Sequence, residues 1–323
     1  MSKSSGYNFV VSPLFLGILC LITVISDFIS GGFIADNGET GAVFLKLPLN
    51  GYSTVILSLI AIISLLVLLY RFNEIKASAG KSSLTVILLC LLLISSGEGY
   101  LSFPERYISA LMVAGALYYS VCKERNQSEL FLANFFISAA ALAQPLVLFL
   151  IPVILYFSLR SSVTNARNIV IALIGIILPF VITLSILFLF RVETDLYSVF
   201  ISVVEKAELS FPFRGGLPEA VSGIALFLYI LFSIYHILKR INRFKVIKSK
   251  YFARIITLLA VSAAVSLLYS SDETDIRAIT AIPASLAAAE YSASDNSSPG
   301  KRVLLLVLLI LYALLKISRA VQL

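Results

Sequence analysis

A basic stretch between two long apolar runs constrains the fold of this chain more than any other feature. Residues Lys239–Arg254 carry seven Lys or Arg side chains and no acid. The whole chain has 59% hydrophobic and 13% charged residues, with a mean hydropathy of +0.98. A soluble domain has about 45–50% apolar and about 25% charged residues, so the composition excludes a single soluble core. In such an apolar chain, the basic stretch is typical of a cytoplasmic loop in a multi-spanning membrane protein.

The charge and the reactive residues narrow the function classes. The net charge of +7 comes from cations between the apolar runs, which indicates anionic lipid headgroups of a bilayer as the partner and not nucleic acid. The three cysteines form no CxxC pair, and His236 is the only histidine. No histidine lies near the cysteines to complete a zinc site, and His236 lies in an apolar span directly before the basic stretch, which disfavours a Ser-His-Asp triad. We therefore interpret His236 as an interfacial residue.

Apolar runs of membrane-spanning length recur along the chain. The clearest, Gly51–Tyr70, is long enough to cross a hydrocarbon core of about 30 Å. The sequence predicts an all-α, polytopic integral membrane protein with about eleven spans (range nine to twelve), a cytoplasmic N-terminus, and one transmembrane domain over residues 1–323 without a soluble domain. The predicted spans are Phe9–Ile25, Gly51–Tyr70, Leu84–Ser96, Tyr107–Cys122, two within Leu130–Leu159, Asn168–Phe190, Val221–Leu238, Ile255–Tyr269, Ala278–Ser292 and Val303–Leu315.

The uncharged run Leu130–Leu159 allows two interpretations. As one helix it would be about 45 Å long, more than a bilayer needs. Pro145 lies at its middle and disrupts a helix there, so the run is either one kinked span or a hairpin of two short spans. With a hairpin, 17 of the 25 Lys and Arg residues fall on the side of the basic stretch, whereas a single span divides them 12 against 13. The positive-inside rule favours the hairpin.

Acidic residues concentrate on the opposite, outer side, which holds 13 of the 18. One interpretation is solvation of loops; the other is an outward-facing site. Carboxylates could bind a divalent cation or act as a general base, and arginines suit phosphate oxygens. The candidates are Asp27, Asp36 and Glu39 as catalytic or metal-binding acids, Glu98, Glu105, Asp272, Glu273 and Asp275 as further outer acids, and Arg106 and Arg277 as phosphate-binding cations. No specific metal site or other cofactor is predicted.

Polar residues inside the predicted spans are few. Asn134 and Gln144 lie in the hairpin beside small residues, where amides either join helices or line a cavity. Glu290 lies near the inner end of its span, and no predicted span carries an acid or base near its midpoint. Proton- or ion-coupled pumps normally place ionisable groups there, which disfavours a transporter.

Several motifs resemble an uncharacterised family of multi-spanning membrane proteins of Bacteroidota. They are Phe103-Pro104-Glu105 after a short span, the Ala-rich Gln144-Pro145 hairpin, GIILPF (Gly175–Phe180) and an acidic turn leading into Ile282-Pro283. The resemblance implies a multi-pass protein of the bacterial inner membrane. It implies no established activity.

The broad plan is also similar to GT-C-type integral-membrane glycosyltransferases, which use polyprenyl-phosphate-linked sugars. The shared features are an acidic first outer loop, an Ala-rich hairpin with a proline, and a late Arg before a Pro-containing span. By this resemblance, Asp27, Asp36 and Glu39 would be the catalytic or metal-binding acids and Arg277 would contact the donor phosphate. The chain departs from that plan because Asp36 and Glu39 are not adjacent, and no soluble outer domain follows the last span.

The sequence leaves three functions open. The first is a non-enzymatic subunit or scaffold in cell-envelope assembly, with other membrane proteins as partners. The second is an enzyme that handles a polyprenyl-phosphate-linked saccharide at the outer face, in which a divalent cation is possible. In that enzyme, Asp36 or Glu39 would serve as base or metal ligand, and Arg106 and Arg277 would hold phosphate. The third is a transporter.

Overall fold

The computed structural model describes residues 51–77, 83–95, 104–121, 126–161, 165–190, 201, 217–269, 276–293, 303–305, 307–312 and 314. This part of the chain is helical and has no β-strand, which confirms the predicted all-α class for it. Its helices are α1 (Gly51–Ala77), α2 (Ser83–Ser95), α3 (Pro104–Val121), α4 (Gln127–Ala143), α5 (Ile151–Ser161), α6 (Ala166–Leu189), α7 (Leu217–Arg240), α8 (Val246–Leu268) and α9 (Arg277–Ala293). The predicted first span, Phe9–Ile25, lies outside the described residues.

By length and composition, the described helices are those of a membrane protein. Among the described residues, four helical segments are long and apolar enough to cross a membrane: Ser53–Asn73, Ala166–Leu189, Val221–Arg243 and Lys248–Leu268. Four shorter apolar segments accompany them: Thr85–Ser95, Gln127–Ala143, Pro145–Arg160 and Val303–Tyr312.

The chain reverses direction between α4 and α5. The backbone at Gln144 is extended, with φ −140° and ψ 105°, and a 3-10 turn follows over Pro145–Leu150. Nδ2 of Asn134 in α4 donates a hydrogen bond of 3.1 Å to Oγ of Ser158 in α5. In one continuous helix these two residues would be about 36 Å apart. The predicted hairpin is therefore confirmed, and the single kinked span is excluded.

Helix α9 lies at the centre of the described helices. It contacts α2, α3, α7 and α8, and every residue from Ala281 to Glu290 is buried. Four alanines lie between Pro283 and Glu290. Their small side chains allow neighbouring helices to approach closely. Pro283 lies inside α9, as the sequence predicted for this span.

Helix α6 lies at the periphery and packs against α4. Gly175 makes the closest approach, because a Cβ atom there would be 2.8 Å from the carbonyl oxygen of Phe131 and 3.1 Å from Cβ of Asn134. Oγ of Ser138 donates to the carbonyl oxygen of Ile176 at 2.5 Å. Side chains on the other faces of α6, from Ile169 onward, are largely exposed.

The basic stretch is mostly helical, which corrects the prediction of a loop over Lys239–Arg254. Helix α7 extends to Arg240, a 3-10 turn covers Ile241–Arg243, and α8 begins at Val246. The physical reason is that long cationic side chains extend their charges away from an apolar environment while the backbone stays helical. Charge alone therefore did not mark the helix ends.

One end of the bundle carries the start of α8 together with the ends of four other helices. The ring of Tyr251 in α8 lies 5.5 Å from that of Phe72 in α1, and Phe72 lies 5.7 Å from Tyr118 in α3. The end of α5 reaches Arg254 and the end of α9 reaches Lys248. We call this end, with Arg160, Lys248 and Arg254, the basic end.

Candidate functional site

Most of the predicted outer site lies outside the described residues. This applies to Asp27, Asp36, Glu39, Glu98, Asp272, Glu273 and Asp275. The structure describes Glu105, Arg106 and Arg277. Within the described part of the chain, no three His, Cys, Asp or Glu side chains come together in a way that could hold a metal ion.

Glu105 and Arg106 lie in the first turn of α3, after Pro104. Proline at the start and an acid in the first turn both favour a helix beginning here. Arg106 is buried although it is a cation, and Glu105 is half-buried. Burial raises the pKa of the Glu105 carboxyl above its ordinary value, against the opposing effects of its backbone hydrogen bond and of the Arg106 charge.

Arg277, the first residue of α9, lies at the same end of the bundle as Arg106. Helices α3 and α9 are in contact and run in the same direction, because both end next to the first turns of α8. Arg277 is half-buried, and its carbonyl oxygen accepts a hydrogen bond from Oγ1 of Thr280 at 2.9 Å. The structure thus places both predicted phosphate-binding cations at one end, opposite the basic end.

The clearest polar site in the described residues lies at the basic end. Lys248 Nζ in α8 is 2.7 Å from Oε1 of Glu290 in α9, whose side chain is only 7% exposed. The same ammonium group lies 4.9 Å from the ring centroid of Phe244 and 5.7 Å from that of Phe252, within the range of cation–π attraction. A buried carboxylate without a partner costs several kcal/mol, so the ion pair holds α8 against α9.

Further aromatic side chains lie beside this ion pair, along the end of α9 and on α7 and α8. Tyr251 lies about one helical turn after Lys248 in α8, and the ring of Tyr291 packs at 5.3 Å from His236 and 5.7 Å from Tyr229. The hydroxyls of Tyr229 and Tyr251 are buried and form no hydrogen bond within the described part of the chain. We call the whole group the Glu290 cluster: Glu290, Lys248, Tyr251, His236, Tyr229 and Tyr291.

Sequence reasoning missed the Glu290 cluster as a unit. It interpreted Lys248 as one of seven topological cations and noted only the position of Glu290. The available signal was an acid in an otherwise apolar, Ala-rich span, because an ionisable group within a membrane requires a partner. The sequence did not predict which cation would pair with Glu290, since Lys248 and Glu290 are far apart in sequence. His236 belongs to the cluster's aromatic contacts.

Asn134 and Gln144, the two amide residues of the hairpin, both make hydrogen bonds that stabilise it. Nδ2 of Asn134 donates to the carbonyl oxygen of Leu130 at 2.8 Å as well as to Ser158, so this amide joins α4 to α5. The backbone N–H of Gln144 donates to the carbonyl oxygen of Ala140 at 2.8 Å and ends α4. Of the two predicted roles, the helix-joining one is confirmed for Asn134.

Comparison of the chain with protein-family models, with curated proteins and with solved structures gives no match. The two resemblances that its motifs indicate therefore stay predictions, and the function is inferred from the chain's own residues.

Proposed function

We propose that the chain is a multi-pass protein of the bacterial inner membrane with about eleven spans and a cytoplasmic N-terminus. We propose further that it serves as a non-enzymatic subunit or scaffold in cell-envelope assembly. The common end of α1, α3, α5 and α9 supports the alternating sidedness that the charge distribution predicts. The basic residues at that end support its cytoplasmic location.

The observation that carries the scaffold role is the exposed surface of α6. Only Ala172, Gly175 and Pro179 of this helix are buried, and they form one narrow stripe against α4. Large apolar side chains on its other faces, such as Ile177 and Val181, are about half exposed. A helix anchored in this way leaves most of its surface for lipid or for the helices of another membrane protein.

The polar interior also favours a structural role. Glu290, the buried acid of α9, is already neutralised by Lys248. The buried amide of Asn134 joins two helices of the same chain. Both groups thus stabilise contacts between helices, which is what a scaffold requires.

The test is site-specific photo-crosslinking in cells. A crosslinking amino acid at Ile177 or Val181 should capture one defined membrane protein, whereas the matched position Ile60 on α1, also exposed and apolar, should capture lipid alone. Native mass spectrometry of the purified protein should then show that partner with bulk phospholipid. Crosslinks to lipid alone from all three positions would contradict the scaffold role.

A second candidate function is handling of a polyprenyl-phosphate-linked saccharide at the outer face. The observation that favours it is the buried Arg106 beside Glu105, at the same end as Arg277. In this proposal, Asp27, Asp36 and Glu39 supply a base or metal ligand. A stoichiometric lipid-linked saccharide in native mass spectrometry would support it. Normal function of the Asp36→Ala/Glu39→Ala protein at normal abundance would eliminate it.

A further inference from the structure

Two arginines at the basic end, Arg160 and Arg254, lie against the adjacent aromatic residues Tyr156 and Phe157. Arg160 is in the last turn of α5, and Arg254 is in the third turn of α8. The centroids of the two rings are 6.1 Å apart, which brings two positive charges to one region of the basic end. In the residues that the structure describes, neither guanidinium forms an ion pair with a carboxylate. An arrangement of like charges is unfavourable unless an anion offsets it.

Arg254 is held in place by two contacts. Its Nη1 donates a hydrogen bond of 2.6 Å to the carbonyl oxygen of Ser120, and its guanidinium carbon lies 5.8 Å from the ring centroid of Phe157. Ser120 is in the last turn of α3, where carbonyl groups lack a partner within the helix. A guanidinium has five N–H donors, so this hydrogen bond orients the group and leaves further donors for a ligand.

Arg160 is held by the neighbouring side chain. Its Nη1 donates to the hydroxyl of Tyr156, and its guanidinium carbon lies 5.6 Å from the centroid of that ring. Because the Tyr156 oxygen accepts this hydrogen bond, the hydroxyl hydrogen can still be donated elsewhere. The rings of Tyr156 and Phe157 are 6.1 Å apart, so the two arginines lie over adjacent rings of one helical turn.

Topological anchoring alone does not require this geometry. A cation that only fixes the orientation of a loop can remain exposed and unattached. Arg243 and Lys250 fit that description, because they are exposed and make no hydrogen bond or ring contact with any described residue. Arg160 and Arg254 instead each make a hydrogen bond and a ring contact with described residues.

We propose that Arg160, Arg254 and Tyr156 form a phosphate-binding site at the basic end. Two planar guanidinium groups and one hydroxyl provide the donors that bind phosphate oxygens, with bidentate geometry at each arginine. The ligand is the phosphodiester of an anionic phospholipid or the phosphate of a soluble anion. The site applies equally to a scaffold and to an enzyme, since it lies opposite Arg106 and Arg277.

The primary experiment is native mass spectrometry of the full-length protein in detergent with equimolar phosphatidylglycerol and phosphatidylethanolamine. The wild-type protein should retain about tenfold more phosphatidylglycerol than phosphatidylethanolamine, because charge-assisted hydrogen bonds are stronger than those between neutral groups. Arg160→Gln/Arg254→Gln should lose this preference. The control Arg243→Gln/Lys250→Gln removes the same charge from the same end and should keep it.

Single variants keep the test decisive if the double variant does not fold. Arg160→Gln changes an exposed side chain, and Arg254→Lys keeps the charge but removes the planar fork; each should weaken the preference several-fold. Displacement of phosphatidylglycerol by inorganic phosphate at equal concentration would identify a soluble ligand, and its retention would identify the lipid. An unchanged preference in both single variants, or an equal loss in the control, would overturn the site.

Discussion

Helices α6 and α9 both contain an internal proline, and their surroundings are opposite. Most residues of α6 are large and apolar, and only Ala172, Gly175 and Pro179 of this helix are buried. Helix α9 contains small, polar and charged residues, and Ala281–Glu290 is buried throughout. Lipid tails are as apolar as leucine, so large apolar side chains gain little by leaving them. Small side chains gain close packing, and Glu290 gains a partner.

The largest expected effect on stability comes from removing the negative charge at the end of α9. Glu290→Ala should lower the free energy of unfolding by about 3–5 kcal/mol, because Lys248 would remain partly buried without its partner. The measurement is unfolding in detergent or bicelles. The control Glu290→Leu/Lys248→Met, which removes both charges, should recover most of the loss. Equal losses in the single and double variants would show that the ion pair does not hold α8 against α9.

A smaller effect is expected where α6 meets α4. In Gly175→Ala, the new Cβ atom would lie 2.8 Å from the carbonyl oxygen of Phe131, so α6 must shift, at a cost of about 1–3 kcal/mol. In Gly115→Ala, the Cβ atom would lie 3.7 Å from the ring of Phe136, an ordinary contact, so this control should be neutral or slightly stabilising. Similar unfolding curves for both variants would contradict the close approach of α6.

The same substitution in the two helices compares them directly. Ile282 in α9 is fully buried, whereas Ile177 in α6 is 55% exposed. Ile282→Ala should cost about 1–2 kcal/mol, less than in a soluble core because only the cavity contributes and not transfer from water. Ile177→Ala should change stability by less than about 0.5 kcal/mol. A larger loss for Ile177→Ala would reverse the assignment of the two helices.

The smallest effect is expected at the hairpin. Asn134→Leu removes the hydrogen bond to Ser158 and should cost about 0.6–1 kcal/mol, the typical contribution of an interhelical hydrogen bond in a membrane protein. Ser185→Ala is the control, because that hydroxyl is exposed and bonds only to Val181 of its own helix. Equal stability of the two variants would show that Asn134 does not stabilise the contact between α4 and α5.

The order and reversal of helices could be predicted from the sequence because they follow from local patterns and from charge. Pro145 and the distribution of Lys and Arg predicted the hairpin that the Asn134–Ser158 contact confirms. The central position of α9 could not be predicted, since hydropathy identifies apolar segments and does not say which of them face lipid. The pairing of Lys248 with Glu290 depends on packing between distant parts of the chain, which one sequence does not contain.

The predicted outer site remains a prediction for a different reason. Its carboxylates Asp27, Asp36 and Glu39 lie outside the described residues, so only Glu105, Arg106 and Arg277 have known positions. Two of these, the arginines, lie at the same end of the bundle.

The most direct measurement of the contrast between α6 and α9 uses the wild-type protein in a bilayer that contains a photoactivatable, carbene-generating phospholipid. Peptide-level mass spectrometry then reports which helices contact lipid tails. We predict strong labelling of the α6 peptide over Ile169–Leu189, apart from its buried stripe, and none of the α9 peptide over Ala281–Glu290. Labelling of α9 as strong as that of α6 would contradict its central position in the fold.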